Sequence, residues 1–421
     1  LLIEYKRKQI KVTDATESEK EEAGRKFTRR VLSATWDYIV SICTKIASNS
    51  LSEEISSNIS MILGSRNAKS ARHSYKDSVT NNIKTLALLL KISRKVGMQN
   101  LSGSIFCLLT KIICSNSKTE KKSKLPKLEA EVILAFESLI ENGLELASHS
   151  QDCWKHIFKC CQHVFILENN LFKTTKDSPR IEKATMSKTR SSLDKGAFET
   201  RTPSEEVWLG FIAKPETSQY ENVSKILEEG NMDATNSILP QEVLSKCIPF
   251  LTQSIENLFS NASSKLNLMS LLGYLRELCF QSHKELIVLK GGNATKQETF
   301  LVSQLSEAIL RCIRAGRPML HLMLSWSIAG QHLMEASSHS DPTVSKLAIQ
   351  AIHDIIASLL HYNSEMPYFH FNETLFKPYE TLILLDLCDT DIQDKIVASI
   401  HQFVEGSTSE NRSGWRPLFG A

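Results

Sequence analysis

Glycine and proline are scarce, 16 and 11 in 421 residues. A sheet protein of this length needs a turn about every 8–12 residues, and turns draw on those two residues. Their scarcity argues for long helices. No apolar run approaches the roughly 18 residues of a membrane span; Leu86-Ala87-Leu88-Leu89-Leu90 is typical of the longest. Any membrane association is therefore expected to be peripheral. An excess of one charge sign is also missing. Fifty Lys and Arg against 47 Asp and Glu leave a net charge of +3, without the global field of a nucleic-acid binder.

The ten cysteines lack paired spacing, and the start is charged (Glu4, Lys6, Arg7, Lys8) rather than a signal peptide. Reduced thiols in the cytosol are expected, so Asn222-Val223-Ser224 and Asn293-Ala294-Thr295 read as chance glycosylation patterns. Gly-x-Ser-x-Gly and His-Glu-x-x-His are absent. Gly291-Gly292-Asn293 lacks the strand and spaced glycines of a phosphate loop and reads as a helix–helix turn. Catalytic residues, a cofactor, a metal and a small-molecule substrate are not expected. The chain opens on Leu1 without Met and closes on an apolar run, which reads as a segment of a longer protein.

What is present is helical periodicity. Hydrophobic residues make up 42% and charged residues 23%, enough to bury a core. Residues 1–30 are a charged lead-in, either solvated or an exposed helix. From 31 to 172 come helical repeats: Val31, Leu32, Trp36, Ile39, Val40, Cys43 and Ile46 fall at steps of three and four. Further helices are predicted over 55–62, closed by Gly64, and over 83–96, closed by Gly97, then over 101–113, 129–147 and 151–172. Residues 173–203 are basic and rich in Ser and Thr, with Pro179 and Pro203. Ordering them would cost about 1–2 kcal/mol of backbone entropy per residue with little apolar burial to offset it. They are expected to form a disordered linker dividing the chain.

Residues 204–421 return to paired helices at about 204–213, 219–229, 240–260, 264–289, 297–315, 317–336, 342–361, 373–387 and 391–405, the last repeat being truncated near 412. Asp341-Pro342 reads as an N-cap followed by a first-turn proline. Pro378 inside an apolar pattern predicts a kink. Antiparallel helices with short links and a rough period of about 40–47 residues imply an all-α fold, a degenerate HEAT- or armadillo-like α-solenoid. A globular bundle is the alternative.

Cys153, His156, Cys160 and His163 share one helix face, a ligand set that zinc accepts. One straight helix cannot wrap four ligands around an ion, so helix–helix contact is the expected role. The aromatics Tyr368, Phe369, Phe371, Phe376 and Tyr379 read as inter-helix core, because no basic groove flanks them. Basic stretches at Arg66, Lys69 and Arg72 and at Lys121, Lys122 and Lys124, with Lys173–Arg190, are candidates for anionic membrane contact. Each cation near such a surface is worth about 1 kcal/mol. Ser178 and Thr202, each before a proline, are candidate phosphorylation sites that would weaken that contact.

Three motifs occur in order over residues 319–421. Trp326-Ser327-Ile328-Ala329-Gly330-Gln331-His332-Leu333 is followed by Val344 and Ala348-Ile349. Phe369-His370-Phe371 is followed by Leu375-Phe376-Lys377-Pro378-Tyr379-Glu380. The third is Arg412-Ser413-Gly414-Trp415-Arg416-Pro417-Leu418-Phe419. The series resembles the region downstream of the exchange domain in the brefeldin A-inhibited guanine nucleotide-exchange proteins, large Arf-activating factors. That family shows Trp-x-Val-x-Gly-x-His-Phe, Phe-x-Phe…Phe-Leu-Arg-Pro-Phe-Glu and Arg-Ser-Gly-Trp-Lys-x-Ile-Phe. Asn82-Ile83-Lys84-Thr85-Leu86 and Trp154-Lys155-His156-Ile157-Phe158-Lys159-Cys160 resemble further segments of it, while 1–60 and 173–240 show no recognisable motif. The departures fit the divergent third branch.

The resemblance implies a non-catalytic helical-repeat scaffold in a peripheral protein of Golgi, post-Golgi vesicle or secretory-granule membranes. Its concave surface and loops would dock Arf-type small GTPases or the parent's own exchange domain, without nucleic acid. Within the first motif, Gly330 beside Trp326 should let a neighbouring helix approach, and His332 should meet a turn carbonyl. The truncated end should expose Ile396, Val397, Trp415 and Phe419.

Overall fold

A computed structural model describes residues 17–50, 80–114, 130–150, 152–176, 241–289, 299–384, 390–407 and 409–421. These residues contain helix and no strand, in a solenoid-like all-α fold. In chain order the helices are α1 Glu17–Ser50, α2 80–95, α3 Ser102–Cys114, α4 Ala130–Ala147 and α5 Asp152–Lys176. Then follow α6 Gln241–Lys265, α7 Leu268–Val288, α8 Phe300–Arg314, α9 Met319–Ser337, α10 Pro342–Tyr362, α11 Phe371–Leu384, α12 Thr390–Gly406 and α13 Trp415–Gly420. The expected helices at 55–62, 204–213 and 219–229 lie outside the described residues. α1 begins at Glu17, so part of the charged lead-in is helical, and α5 runs four residues past its expected end.

Local chemistry sets the boundaries. Gly97 and Gly316 take left-handed φ values of 72° and 64° just after α2 and α8, the conformation in which a side chain is strained. Asn267 caps α7 by accepting from the Ser270 N–H at 2.9 Å. Asp341 caps α10 by accepting from the Thr343 N–H at 2.8 Å, with Pro342 in the first turn as expected. α11 continues through Pro378 and α6 through Pro249. Buried Arg317 donates to the carbonyls of Ser263 and Leu266 at the end of α6, supplying partners for acceptors that the helix leaves open.

The helices form two layers. From α3 to α11 each helix packs against the next one and the next but one, and α1 packs on α3, so α1, α3, α5, α7, α9, α11 and α13 line up in one layer and α4, α6, α8, α10 and α12 in the other. Ion pairs Lys91–Glu141 at 3.2 Å and Arg94–Glu145 at 3.0 Å place α2 beside α4 in the second layer. The apolar stripes meet between the layers in one core cluster that runs from Leu32 to Leu418.

Of the stretch read as a dividing linker, 173–176 belong to α5, which corrects its start, and 177–203 lie outside the described residues. The helices on its two sides pack directly together. Trp154 and Phe158 of α5 meet Tyr274 of α7 at ring-centroid distances of 4.7 and 5.7 Å, and Phe158 meets Phe259 of α6 at 6.2 Å. The Ser270 hydroxyl donates to the Ser148 carbonyl at 2.8 Å. The two helical stretches thus share one core.

Among the described residues, only Pro342–Tyr362 (α10) has the length and apolar composition of a membrane span, and 56% of its 18-residue apolar window is buried in the fold. The reading from uninterrupted runs passed over it because its apolar residues are interspersed with polar ones. Its apolar contacts are with α8, α9, α11 and α12.

Candidate functional site

The three C-terminal motifs occupy neighbouring elements. Trp326, Gly330 and His332 lie on α9, Phe371 to Glu380 on α11, and Arg412 to Phe419 on the closing turn and α13. α9 and α11 are consecutive in one layer and enclose a shallow cleft of about 240 Å³. Trp326, Gly330 and Gln331 line one wall and Thr374, Lys377 and Pro378 the other.

The role expected for Gly330 needs correcting. A Cβ there would stand 3.1 Å from the Trp326 indole, so the small residue admits the tryptophan of its own helix rather than a neighbouring helix. His332 is buried, and its Nε2 lies 2.9 Å from the Ser282 hydroxyl of α7, not at a turn carbonyl. Burial, with His283 nearby, pulls its pKa down to about 4, so the ring is neutral at pH 7.

The Arg-Ser-Gly-Trp turn is held by a clasp that the sequence reading missed. Glu365, buried in the loop after α10, accepts from the Asn372 N–H at 2.9 Å, the Ser413 N–H at 3.1 Å and the Ser413 hydroxyl. Arg412 donates to the Glu365 carbonyl at 2.6 Å, and Asn372 donates to the Glu410 carbonyl at 2.9 Å. Burial pushes the Glu365 carboxyl up, but the donors from Ser413 and Asn372 outweigh it and hold it below the usual range. Gly414 is required by contact: a Cβ would collide with the Phe376 ring. Lys377 and Pro378 of the second motif face the cleft, while Phe371, Phe376 and Tyr379 are buried as predicted. Tyr368 is fully exposed with a φ of 64°, and Phe369 is exposed. They sit in the α10–α11 loop, which turns them away from the core expected to hold them.

Of the surface expected at the chain end, Val397 and Phe419 are exposed, Trp415 is half-buried against Phe419, and Ile396 is buried. Ile396 points the other way because it sits on the face of α12 that packs on α10 and α11.

The cysteine and histidine face of α5 turns into the fold. Cys153 lies 3.5 Å from the Ser102 hydroxyl, and the Cys160 thiol reaches the Thr110 hydroxyl at 3.6 Å, both on α3. Burial raises both thiols; it lowers His163, and lowers His156 to about 4 with Lys155 and Lys159 adding to the effect. The candidates Arg66, Lys69, Arg72, Lys121, Lys122, Lys124, Ser178 and Thr202, and Gly291-Gly292, lie outside the described residues. A different group is brought together: His283 of α7 with His332 and Glu335 of α9, their ligating atoms all within 4.8 Å of one another. The sequence carried one signal for it, the His332–Glu335 spacing of three. His283 could not be paired with them without knowing that α7 lies beside α9.

Comparison with known proteins adds to these motifs. The chain is 28% identical over 448 aligned residues to the human brefeldin A-inhibited guanine nucleotide-exchange protein 3. The chain is similar to that family. The alignment covers 95% of the chain and 20% of the human protein. The Mus musculus protein 3 is 29% identical over 95% of the chain, and the Rattus norvegicus exchange protein 1 is 21% identical over 70%. The similarity to protein 3 thus takes in most of 1–60 and 173–240, where no motif was recognisable. A family model described as "Mon2/Sec7/BIG1-like, HDS" matches residues 360–421, the span that holds the Glu365 clasp, α11 and the Arg-Ser-Gly-Trp turn. The chain spans about a fifth of the length of the first two relatives. No solved structure matches it.

Proposed function

We propose that this exchange-protein-like segment is a non-catalytic regulatory scaffold of the degenerate HEAT type. It docks Arf-type small GTPases or an exchange domain and contributes to recruitment at Golgi, post-Golgi or secretory-granule membranes. The supporting observation is the cleft between α9 and α11, where residues of two motifs, Trp326 with Gly330 and Lys377 with Pro378, form facing walls. Lys377 is exposed and Trp326 almost wholly buried. A polar, cationic rim over an apolar floor suits a protein partner. The basic stretches at 66–72 and 121–124 add attraction to anionic lipid in this reading, with phosphate at Ser178 and Thr202 opposing it.

The test is capture of purified Arf proteins, in both nucleotide states, and of a relative's exchange domain by the immobilised chain. Lys377→Glu and Thr381→Arg, both at exposed positions, should weaken capture at least about fivefold, roughly 1 kcal/mol. Binding unchanged by both would remove the cleft from the proposal. Accelerated nucleotide release from an Arf protein by the chain alone would overturn its non-catalytic part.

A further inference from the structure

His283, His332 and Glu335 stand where two successive helices of one layer meet. His332 and Glu335 are three apart on α9, hence on one face, and His283 reaches across from α7. The Glu335 Oε2 faces the His283 Nδ1 at 3.6 Å and the His332 Nδ1 at 3.9 Å. Neither contact is a hydrogen bond, since both exceed the roughly 3.2 Å limit for N–H···O. They are close to what an ion requires. Ligand atoms about 2.05 Å from a tetrahedral zinc lie about 3.3 Å from one another. Closing the present separations to that value takes shifts of a few tenths of an ångström to about 1.5 Å, within rotamer adjustment of two half-exposed side chains.

The groups behind these three side chains fit the same purpose. The His332 Nε2 is paired with the Ser282 hydroxyl at 2.9 Å. With the proton on Nε2, the bond orients the ring and leaves the Nδ1 lone pair directed at Glu335, the arrangement that metal-ligating histidines show. His332 is rigidly buried, while the side chains of His283 and Glu335 are 50% and 53% exposed, so the site opens to solvent on one side. Two imidazoles, one carboxylate and an open position form a set that zinc accepts, with water as the fourth ligand. A harder ion such as calcium or magnesium would demand more oxygens.

The geometry points to a zinc site at His283, His332 and Glu335 that clips α7 to α9. It places an ion on His332 of the first motif, and it holds whether or not the cleft docks a partner. The test uses the full 421-residue chain, freed of metal by chelation and kept reduced with a non-chelating phosphine. Titration with zinc chloride by calorimetry should show one site of micromolar affinity or tighter. His283→Ala and Glu335→Ala should each weaken it at least about tenfold. Both positions are half-exposed, so the metal-free variants should keep the parent's helical circular dichroism. Cobalt(II) loaded instead should give a visible ligand-field spectrum without a strong thiolate charge-transfer band. No uptake, uptake that survives the His283→Ala and Glu335→Ala double variant, or a thiolate-dominated cobalt spectrum would overturn the assignment.

Discussion

The joint joining α5, α6 and α7 and the clasp at the C-terminal turn hold the same array with different chemistry. At the first, Trp154, Phe158, Phe259 and Tyr274 meet in stacked and tilted contacts, all fully buried. The Trp154 Nε1 and Tyr274 hydroxyl find no hydrogen-bond partner among the described residues. At the second, one buried carboxylate gathers three donors from two segments more than 40 residues apart. The aromatic joint is held by area and is indifferent to direction and acid. The clasp is directional, fixes register, and titrates. Burial joins α5 to α6 and α7, helices from the two described stretches 152–176 and 241–289. Hydrogen bonds act where two short segments must meet in one geometry.

The largest effect should come from truncating the aromatic joint. Trp154→Ala is expected to cost about 3–5 kcal/mol, and Trp154→Phe clearly less, since it also removes an indole N–H without a partner. Chemical denaturation followed by circular dichroism would rank them; equal losses would show that the cavity does not matter. Next is Gly414→Ala, which drives a methyl into the Phe376 ring. Overpacking of this kind costs about 1–3 kcal/mol, and the loss should be confined to the C-terminal helices in hydrogen exchange.

The pH profile separates the two regions further. Glu365 is held below its usual range, so its contribution is present above an unfolded pKa of about 4.3 and is lost as pH falls through the lower folded value. Glu365→Gln should flatten that acid arm. Glu137 on α4, on the side of the aromatic joint, is raised to about 8 by burial and then by Glu141. Between about pH 4.3 and 8 the folded state keeps a proton that the unfolded chain loses, so stability falls as pH rises, and Glu137→Gln should remove the fall. Arms that persist in both variants would assign them to other groups. The smallest change is expected at the surface: Arg94→Ala, breaking the pair with Glu145, should cost no more than about 1 kcal/mol and nothing measurable in high salt.

Helices could be read from the sequence because their signal is local. Stripes at three and four, Gly97 and Asp341-Pro342 each state their structure within a few residues. The layering could not be read, since it depends on which stripe meets which. The Glu365 clasp was hidden because an acid in a loop finds Arg412 and Ser413 47–48 residues away. The motif residues were recognised, but not their work. Gly330 and Gly414 turned out to be spaces for Trp326 and Phe376, which spacing alone does not disclose. The exposed Tyr368 was misassigned because aromatic composition carries no information about which way a loop turns.

The rule that each helix leans only on the next two has a mechanical consequence. Among the described residues the helices at one end pack on none at the other, so a pull across them would be borne by every joint in series. The weakest joint would yield first and the rest would hold. Such an array should lengthen joint by joint rather than all at once, which force spectroscopy would read as separate steps.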